Sequence, residues 1–197
     1  MIISLDEILE LVDLGNLKTR KEEMQKTIDA LSLQRGGKYL SIGVGMNSLP
    51  LIVALHGLNV TGIDISEESL QYQRELSEKF ATQLKEAGGG LKLANIDIEN
   101  GSLRGLDGRF DCIECVNFRS KEDPLTSFAQ ILLYFGKPES CYLIATWGGL
   151  SGVDDSTLQA LISTVKDSKR RFQIVETGLF TSDKYTHPPH GVVLKVY

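Results

Sequence analysis

The stretch YLSIGVGMNSLPLIVALHGLNVTGIDIS, residues 39–66, contains the pattern on which the fold of this chain depends. Its two ends are short apolar runs that predict β-strands, and SLPLIVALHG between them predicts a helix that ends at Gly57. Gly43 and Gly45 lie between the first strand and the helix, where the lack of a Cβ allows a tight turn and a close approach of the backbone to a ligand. The stretch therefore predicts a strand, a glycine turn, a helix and a second strand.

An acidic residue, Asp64, ends the second strand 21 residues after Gly43. A carboxylate at that position can accept hydrogen bonds from both hydroxyls of a ribose. A Gly-x-Gly turn alone indicates little, but the turn and the acid together favour nucleotide binding. The simpler alternative is a glycine turn that binds nothing, with Asp64 exposed to solvent.

Helical and β patterns alternate through the rest of the chain from residue 36. Ser66 is placed to cap a long helix that reaches about residue 87, and strands are predicted in LKLANI, FDCIECVNF and SCYLIATW. The last two strands, in RRFQIVETGLF and GVVLKVY, have no helix between them, so we expect them to pair antiparallel. This order predicts an α/β domain over 36–197, a three-layer sandwich around a seven-stranded, mostly parallel sheet with an antiparallel C-terminal strand. Residues 1–35 add N-terminal helices, which we expect to pack on the core.

Composition limits the possible classes of function. A chain of 197 residues with 42% hydrophobic and 24% charged residues suits one globular domain. The net charge of −5 argues against general nucleic-acid binding, and no apolar run is long enough to cross a membrane. The N-terminus lacks the basic region of a signal peptide, and three cysteines, an odd number, fit reduced thiols. We therefore expect a cytoplasmic protein, present as a monomer or a homodimer.

Two further segments indicate which class of nucleotide cofactor the chain binds. NIDIEN places Asp97 just after the third strand, where it can reach an adenine amino group, and LDGRFDCIECV opens the fourth strand with Phe110 and Asp111. With these segments, residues 36–197 resemble the class I S-adenosylmethionine-dependent methyltransferases, most specifically in VTGIDISEESL and LDGRFDCIECV. The resemblance implies a Rossmann-like fold, S-adenosyl-L-methionine as the cofactor and methyl transfer as the reaction. A nicotinamide-binding oxidoreductase is the alternative interpretation of the same glycine turn.

The resemblance also implies roles for individual residues. The glycine turn would lie beside the methionine part of the cofactor, Asp64 would bind the ribose, and Ile65 would pack on the adenine. Asp97 would accept from the adenine amino group, and Asn117 would either hydrogen-bond the cofactor or acceptor or cap the next loop. The full set of expected cofactor contacts, in which Asn117 is included for its position after the fourth strand, is Ser41, Gly43, Gly45, Asp64, Ile65, Asp97, Ile98 and Asn117.

Two positions depart from the family pattern. Ser41 stands where an acid usually helps to hold the ammonium group of the cofactor, and Asn47 replaces a third glycine. Serine can hydrogen-bond the ammonium group but supplies no charge, so we expect binding to be weaker by about 1–2 kcal/mol, or roughly tenfold. The departures leave two alternatives open. One is transfer of the aminocarboxypropyl group of the same cofactor, as in nicotianamine-synthase-like chemistry, and the other is a catalytically silent binding module.

The sequence does not assign a catalytic residue, but it limits where one can lie. Ligands of α/β sheets bind at the carboxyl ends of the parallel strands, and a base is needed only where the acceptor carries a proton of high pKa. His187 and His190 alone make an incomplete metal site, and no cysteine or third histidine is spaced nearby to complete it, so no metal is predicted. Cys112 and Cys115 would point to opposite faces of their strand and therefore form no pair.

Because the chain is close to a minimal fold, we expect a small-molecule acceptor of unknown identity. The catalytic candidates are Asn117, Tyr185, His187 and His190.

Overall fold

The structure is a computed structural model of the 197-residue chain, and it describes residues 7–8, 28–46, 48–98, 106, 108–116, 134–145, 163, 171–176 and 191–197. The strands in these ranges are β1 (Lys38–Ile42), β2 (Asn59–Asp64), β3 (Gly90–Asn95), β4 (Phe110–Val116), β5 (Gly136–Ala145), β6 (Phe172–Glu176) and β7 (Gly191–Val196). The helices whose bounds fall within these ranges are α1 (Leu49–Leu55), α2 (Glu67–Lys79) and α3 (Ala81–Ala87). Residues 7–8, 28–31, 134–135 and 163 are also helical. No helix within this described part of the chain is both long enough and apolar enough to span a membrane.

The strands form one sheet in the order β3-β2-β1-β4-β5-β7-β6. The first five of these pair in parallel, and β7 is antiparallel to both β5 and β6. The chain leaves β1 on one side towards β2 and later returns on the other side as β4, so β1 and β4 flank the topological switch point of the sheet. The α/β fold with a parallel sheet, predicted from the alternating pattern, is confirmed.

The strand register determines which residues meet at the carboxyl edge of the sheet. Ser41 of β1 lies between Gly62 of β2 and Glu114 of β4. Asp64, the last residue of β2, is the partner of Asn95, the last residue of β3. The ends of these four strands therefore surround the glycine turn that follows β1.

The segment after β2 begins as predicted but does not form one helix. The Ser66 hydroxyl accepts a hydrogen bond from the backbone N–H of Ser69 at 3.3 Å, so Ser66 caps α2. The backbone leaves helical geometry at Phe80, with φ −108° and ψ 18°, and α3 then ends at Gly88 in the left-handed region. Phe80 is buried with Leu84 in the main apolar cluster. The expected single helix is therefore two helices with a break at a buried aromatic residue.

The fifth strand begins earlier than predicted. We expected it to start near residue 140, whereas β5 starts at Gly136, which pairs with Phe110. The pairing then shifts, so that Cys112 is the partner of Cys141. The shifted segment contains Pro138, which has no backbone N–H to donate to a neighbouring strand. Because proline is uncommon inside strands, the sequence did not indicate a strand here.

Both faces of the sheet are buried, as is usual for a parallel sheet in an α/β protein. On one face, Tyr39 of β1 and Cys112 of β4 form an apolar cluster with the six residues of α1 other than Pro50. Ile8, Ile28 and Leu31 from the N-terminal part of the chain belong to the same cluster. The opposite face also buries its apolar side chains, which include Leu40, Ile42, Ile63 and Ile113.

Candidate nucleotide-binding site

The glycine turn joins β1 to α1 in a backbone conformation that favours glycine. Gly43 has a φ of 68° and Gly45 a φ of 51°, both in the left-handed region. The backbone N–H groups of Gly43 and Val44 donate to the carbonyl oxygen of Ile63 at 2.8 and 3.2 Å. These two hydrogen bonds fix the turn to the end of β2.

Asp64 links the same turn to the start of α2. Its Oδ2 accepts from the backbone N–H of Gly45 at 2.9 Å, and its Oδ1 accepts from the backbone N–H of Ser66 at 2.8 Å. A carboxylate has about four acceptor positions, so each oxygen retains the capacity for a further donor. The carboxylate is thus oriented by the backbone, with acceptor capacity left for the two hydroxyls of a ribose.

Gln73 of α2 is a site residue that sequence analysis missed. Its side chain is fully buried, and Nε2 donates to the carbonyl oxygen of Gly45 at 3.0 Å. Gln73 and Asp64 therefore hold the two polar backbone groups of the same glycine. The available signal was a polar residue three positions after the buried Leu70 and three before Leu76, on the inward side of the helix.

The turn also borders open space and exposed apolar surface. Among the described residues, a Cβ at Gly45 would approach only the carbonyl oxygen of Gly43, at 3.8 Å, so none of them covers the backbone there. Ile65, next to Asp64, exposes 67% of its surface, and Met46 in the turn exposes 55%. Few large apolar side chains are this exposed among the described residues, and these two lie close to the carboxylate of Asp64.

The end of β3 lies beside the end of β2. The backbone N–H of Ile96 donates to the carbonyl oxygen of Asp64 at 3.1 Å, which joins the two strand ends. Asp97, half-buried, and Ile98, buried, follow directly. The structure therefore brings Asp64, Ile65, Asp97 and Ile98 to one edge of the sheet.

Ser41 lies beside a second buried polar residue, Glu114 of β4. The two residues are register partners in adjacent parallel strands, and both are inaccessible to solvent, with Glu114 1% exposed. Burial raises the pKa of Glu114 to about 7, and the nearby hydroxyls of Ser41 and Tyr39 moderate this rise. Among the described residues, however, Ser41 Oγ, Tyr39 Oη and Glu114 Oε2 have no partner with acceptable hydrogen-bond geometry. Sequence analysis did not single out Glu114.

Several predicted positions lie outside the described residues: Asn47, Asn117, Tyr185, His187 and His190. Cys112 and Cys115 are both buried and in no disulfide. Cys112 belongs to the cluster on the α1 face and Cys115 does not, in agreement with side chains on opposite faces of β4. Within the part of the chain that the structure describes, no group of three or more His, Cys, Asp or Glu residues could hold a metal ion.

Comparison of the sequence with known proteins gives one informative relative. No model of a known protein family matches the chain. Over 127 residues it is 29% identical to a Bacillus subtilis (strain 168) protein named "Putative methyltransferase YqeM". The match covers 62% of this chain and 47% of the relative, so the chain spans about half the length of that protein.

Solved structures match the fold over nearly the whole chain. A SAM-dependent methyltransferase from Aquifex aeolicus has a TM-score of 0.64 and 20% identity, over 98% of this chain and 99% of its own. A precorrin-6y C5,15-methyltransferase from Geobacter metallireducens GS-15 has a TM-score of 0.64 and 16% identity, over 93% of both chains. An rRNA methylase from Streptococcus thermophilus also has a TM-score of 0.64, with 15% identity, over 88% of this chain and 94% of its own. The chain therefore has the Rossmann-like fold of the class I S-adenosylmethionine-dependent methyltransferases, as its resemblance to that family implied.

Proposed function

We propose that this chain is an S-adenosyl-L-methionine-dependent methyltransferase with a small-molecule acceptor. The observation that carries the proposal is the carboxylate of Asp64, held by the backbone N–H groups of Gly45 and Ser66 at 2.9 and 2.8 Å. The neighbouring Ile65 is apolar yet exposed. An oriented acid beside an exposed aliphatic side chain, at the carboxyl edge of a parallel sheet and one strand away from its switch point, suits a ribose and an adenine.

Different residues of the chain bind different parts of the cofactor in this proposal. Asp64 accepts from the ribose hydroxyls, Ile65 packs on the adenine, and Asp97 accepts from the adenine amino group beside the backbone of Ile98. The open backbone at Gly45 allows the methionine part to approach closely. When bound, S-adenosylmethionine supplies an electrophilic methyl group, so the protein has to align the acceptor with it and exclude water.

In this proposal, the acceptor is contacted by residues that the sequence predicts to follow the carboxyl ends of the strands. The candidates from the sequence stay those named above: Asn117, Tyr185, His187 and His190. A base among them is required only if the acceptor atom carries a proton of high pKa.

A small-molecule acceptor is supported by the net charge of −5, which opposes the binding of a polyanion. The proteins that share the fold include both a precorrin methyltransferase and an rRNA methylase, so an RNA acceptor is the outcome to test against. Ser41, in place of the family acid, is the observation that keeps aminocarboxypropyl transfer as a second candidate reaction.

The test is incubation of the purified protein with methyl-labelled S-adenosylmethionine and either the small-molecule or the RNA fraction of a cell extract. Label in the small-molecule fraction, together with released S-adenosylhomocysteine, is the expected result. Label in the RNA fraction would replace the acceptor class. Release of 5′-methylthioadenosine would indicate aminocarboxypropyl transfer, because that reaction leaves the methylthio group on the adenosine. Cofactor binding without any product would indicate a silent module.

We also propose that residues 1–35 form a helical extension that packs on the 36–197 domain. Ile8, Ile28 and Leu31 support this because they are buried in the same cluster as Tyr39 and Leu51. Removal of residues 1–35 is expected to expose this cluster and to lower the stability of the domain.

The cytoplasmic location and the monomeric or homodimeric state of the protein stay predictions from the sequence.

A further inference from the structure

Two adjacent strands place a carboxyl group next to the position where the family acid is missing. Ser41 lies two residues before Gly43, and its register partner across the β1–β4 pair is Glu114. Neighbouring strands are about 4.8 Å apart, and register partners point to the same face of a sheet. Glu114 is therefore one strand away from position 41, on the same face and close to the same edge.

The polar groups at this place are buried but incompletely hydrogen-bonded. Within the described part of the chain, Ser41 Oγ, Tyr39 Oη and Glu114 Oε2 lack a partner. The face to which they belong is otherwise covered by the apolar α1 and by Ile8, Ile28 and Leu31. The hydroxyls of Ser41 and Tyr39 lie close enough to Glu114 to lower its pKa, but within that part of the chain none of the three atoms forms a hydrogen bond of acceptable geometry. Buried polar atoms in this state are costly and rare in native proteins, and a polar ligand among them would complete their hydrogen bonds.

We propose that Glu114 supplies the carboxylate that holds the ammonium group of S-adenosylmethionine, with Ser41 beside it as a neutral hydrogen-bond partner. The inference rests on the proposed function, since it needs a cofactor with an amino-acid end. The acid is then not lost from the site but comes from β4 instead of β1. The weaker binding expected from Ser41 alone is accordingly not expected of this chain.

The protonation of Glu114 gives the inference a distinctive consequence. With a pKa of about 7, the carboxyl group is largely protonated below neutral pH in the ligand-free protein, and an ammonium group favours its ionised form. Cofactor binding below pH 7 should therefore release a proton from Glu114 to the solvent. The described titratable groups that act on one another here are Tyr39, Cys112 and Glu114, and α1 on the same face contains none.

The test compares two ligands that differ at the amino-acid end. Isothermal titration calorimetry of the wild type and Glu114→Gln with S-adenosylhomocysteine should show about a tenfold loss of affinity in the variant. The affinity for 5′-methylthioadenosine, which has no ammonium group, should be the same in both proteins. Glu86→Gln is the matched control, because it makes the same chemical change at an exposed position of α3, and it should bind both ligands as the wild type does.

A double variant that moves the acid from β4 to β1 provides a second test. In the Glu114→Gln background, Ser41→Asp restores an acid on the neighbouring strand and should recover the affinity for S-adenosylhomocysteine to within about threefold of the wild type. In the wild type, the same substitution places two carboxyl groups side by side and should not tighten binding. A double variant as weak as Glu114→Gln would contradict the assignment of the ammonium group to this pair.

The remaining outcomes are also decisive. Unchanged affinity of Glu114→Gln for S-adenosylhomocysteine, or an equal loss for both ligands, would overturn the inference while leaving the proposed function in place. Failure of the wild type to bind either ligand would overturn both. If Glu114→Gln does not fold, proton release by the wild type is measured by calorimetry at pH 6 in buffers of different ionisation enthalpy. Release of close to one proton is expected, and no release would overturn the inference.

Discussion

The two halves of the candidate site are held in different ways. At the ribose half, both oxygens of Asp64 accept hydrogen bonds from the backbone, and Gly45 is fixed through both its N–H and its carbonyl. At the ammonium half, Ser41 and Glu114 are buried more completely, yet each has a polar atom with no partner among the described residues. The ribose half is thus fixed by hydrogen bonds to the backbone, whereas the ammonium half consists of buried side chains whose hydrogen bonds are not all formed among the described residues.

The largest expected effect is a pH dependence of stability that comes from Glu114. Its pKa is raised from 4.5 in the unfolded chain to about 7, so the folded state favours the protonated form. The stability that this provides is complete below about pH 4.5, falls as the pH rises and is lost above about pH 7. The difference amounts to about 3 kcal/mol. Urea unfolding between pH 5 and 8 should show this decline in the wild type and not in Glu114→Gln.

His56 acts in the opposite direction and has to be separated from Glu114. Burial, followed by the charge of Arg35, lowers the pKa of His56, so its contribution to stability falls as the pH drops through the His range. Both proteins contain His56, so the difference between the wild type and Glu114→Gln isolates the carboxyl group. Parallel pH profiles of the two proteins would contradict the protonation assigned to Glu114.

Removal of the Asp64 carboxylate should affect the ribose half of the candidate site. Asp64→Ala takes away the acceptor of two backbone N–H groups and is expected to lower the free energy of unfolding by about 2 kcal/mol. The affinity for S-adenosylmethionine should fall at least about a hundredfold, because the ribose loses its acceptor as well. Calorimetry and urea unfolding measure the two effects. Glu68→Ala, an exposed acid in the first turn of α2, is the control and should keep wild-type affinity.

Loss of the Gln73 amide should have a smaller effect at the same turn. Gln73→Leu keeps the volume of the side chain but removes the donor to the Gly45 carbonyl, so the turn becomes less well fixed. We expect about a tenfold loss of cofactor affinity, because one buried hydrogen bond contributes about 1 kcal/mol or slightly more. Affinity equal to that of the wild type would mean that Asp64 alone is enough to orient the turn.

The smallest expected effect concerns the exposed Ile65. Ile65→Ser removes apolar contact with the adenine but hardly changes the packing of the free protein, since the side chain is already exposed. Cofactor affinity should fall about three- to fivefold with unchanged unfolding free energy, because only part of one aliphatic side chain is buried on binding. Tyr197→Ser, at an exposed aromatic residue after β7, is the control. A loss of stability in Ile65→Ser would contradict its assignment to ligand contact.

Local patterns in the sequence were sufficient to predict that the glycine turn and Asp64 lie together, while the binding of a ribose there stays a prediction. Gly43, Gly45 and Asp64 lie within one strand–turn–helix–strand unit, so their spacing alone indicates that they meet. The cap at Ser66 is equally local and was predicted from the same segment.

The ammonium half could not be predicted in this way, because it depends on the register of distant strands. The sequence shows Glu114 inside an apolar strand but does not say that it faces Ser41, which is 73 positions earlier in the chain. The early start of β5 was missed for a related reason, since the pairing of Gly136 with Phe110 and the later shift are tertiary features. Gln73 was missed because it resembles any other polar residue of a helix until its burial is known.

A calorimetric titration of the wild-type chain shows most directly whether this turn and Asp64 form a site for S-adenosylmethionine. S-adenosylmethionine, S-adenosylhomocysteine and NAD are titrated separately at pH 7.5. We expect one-to-one binding of the two sulfur compounds with micromolar affinity and no binding of NAD. Binding of NAD alone, or of none of the three, would contradict this expectation.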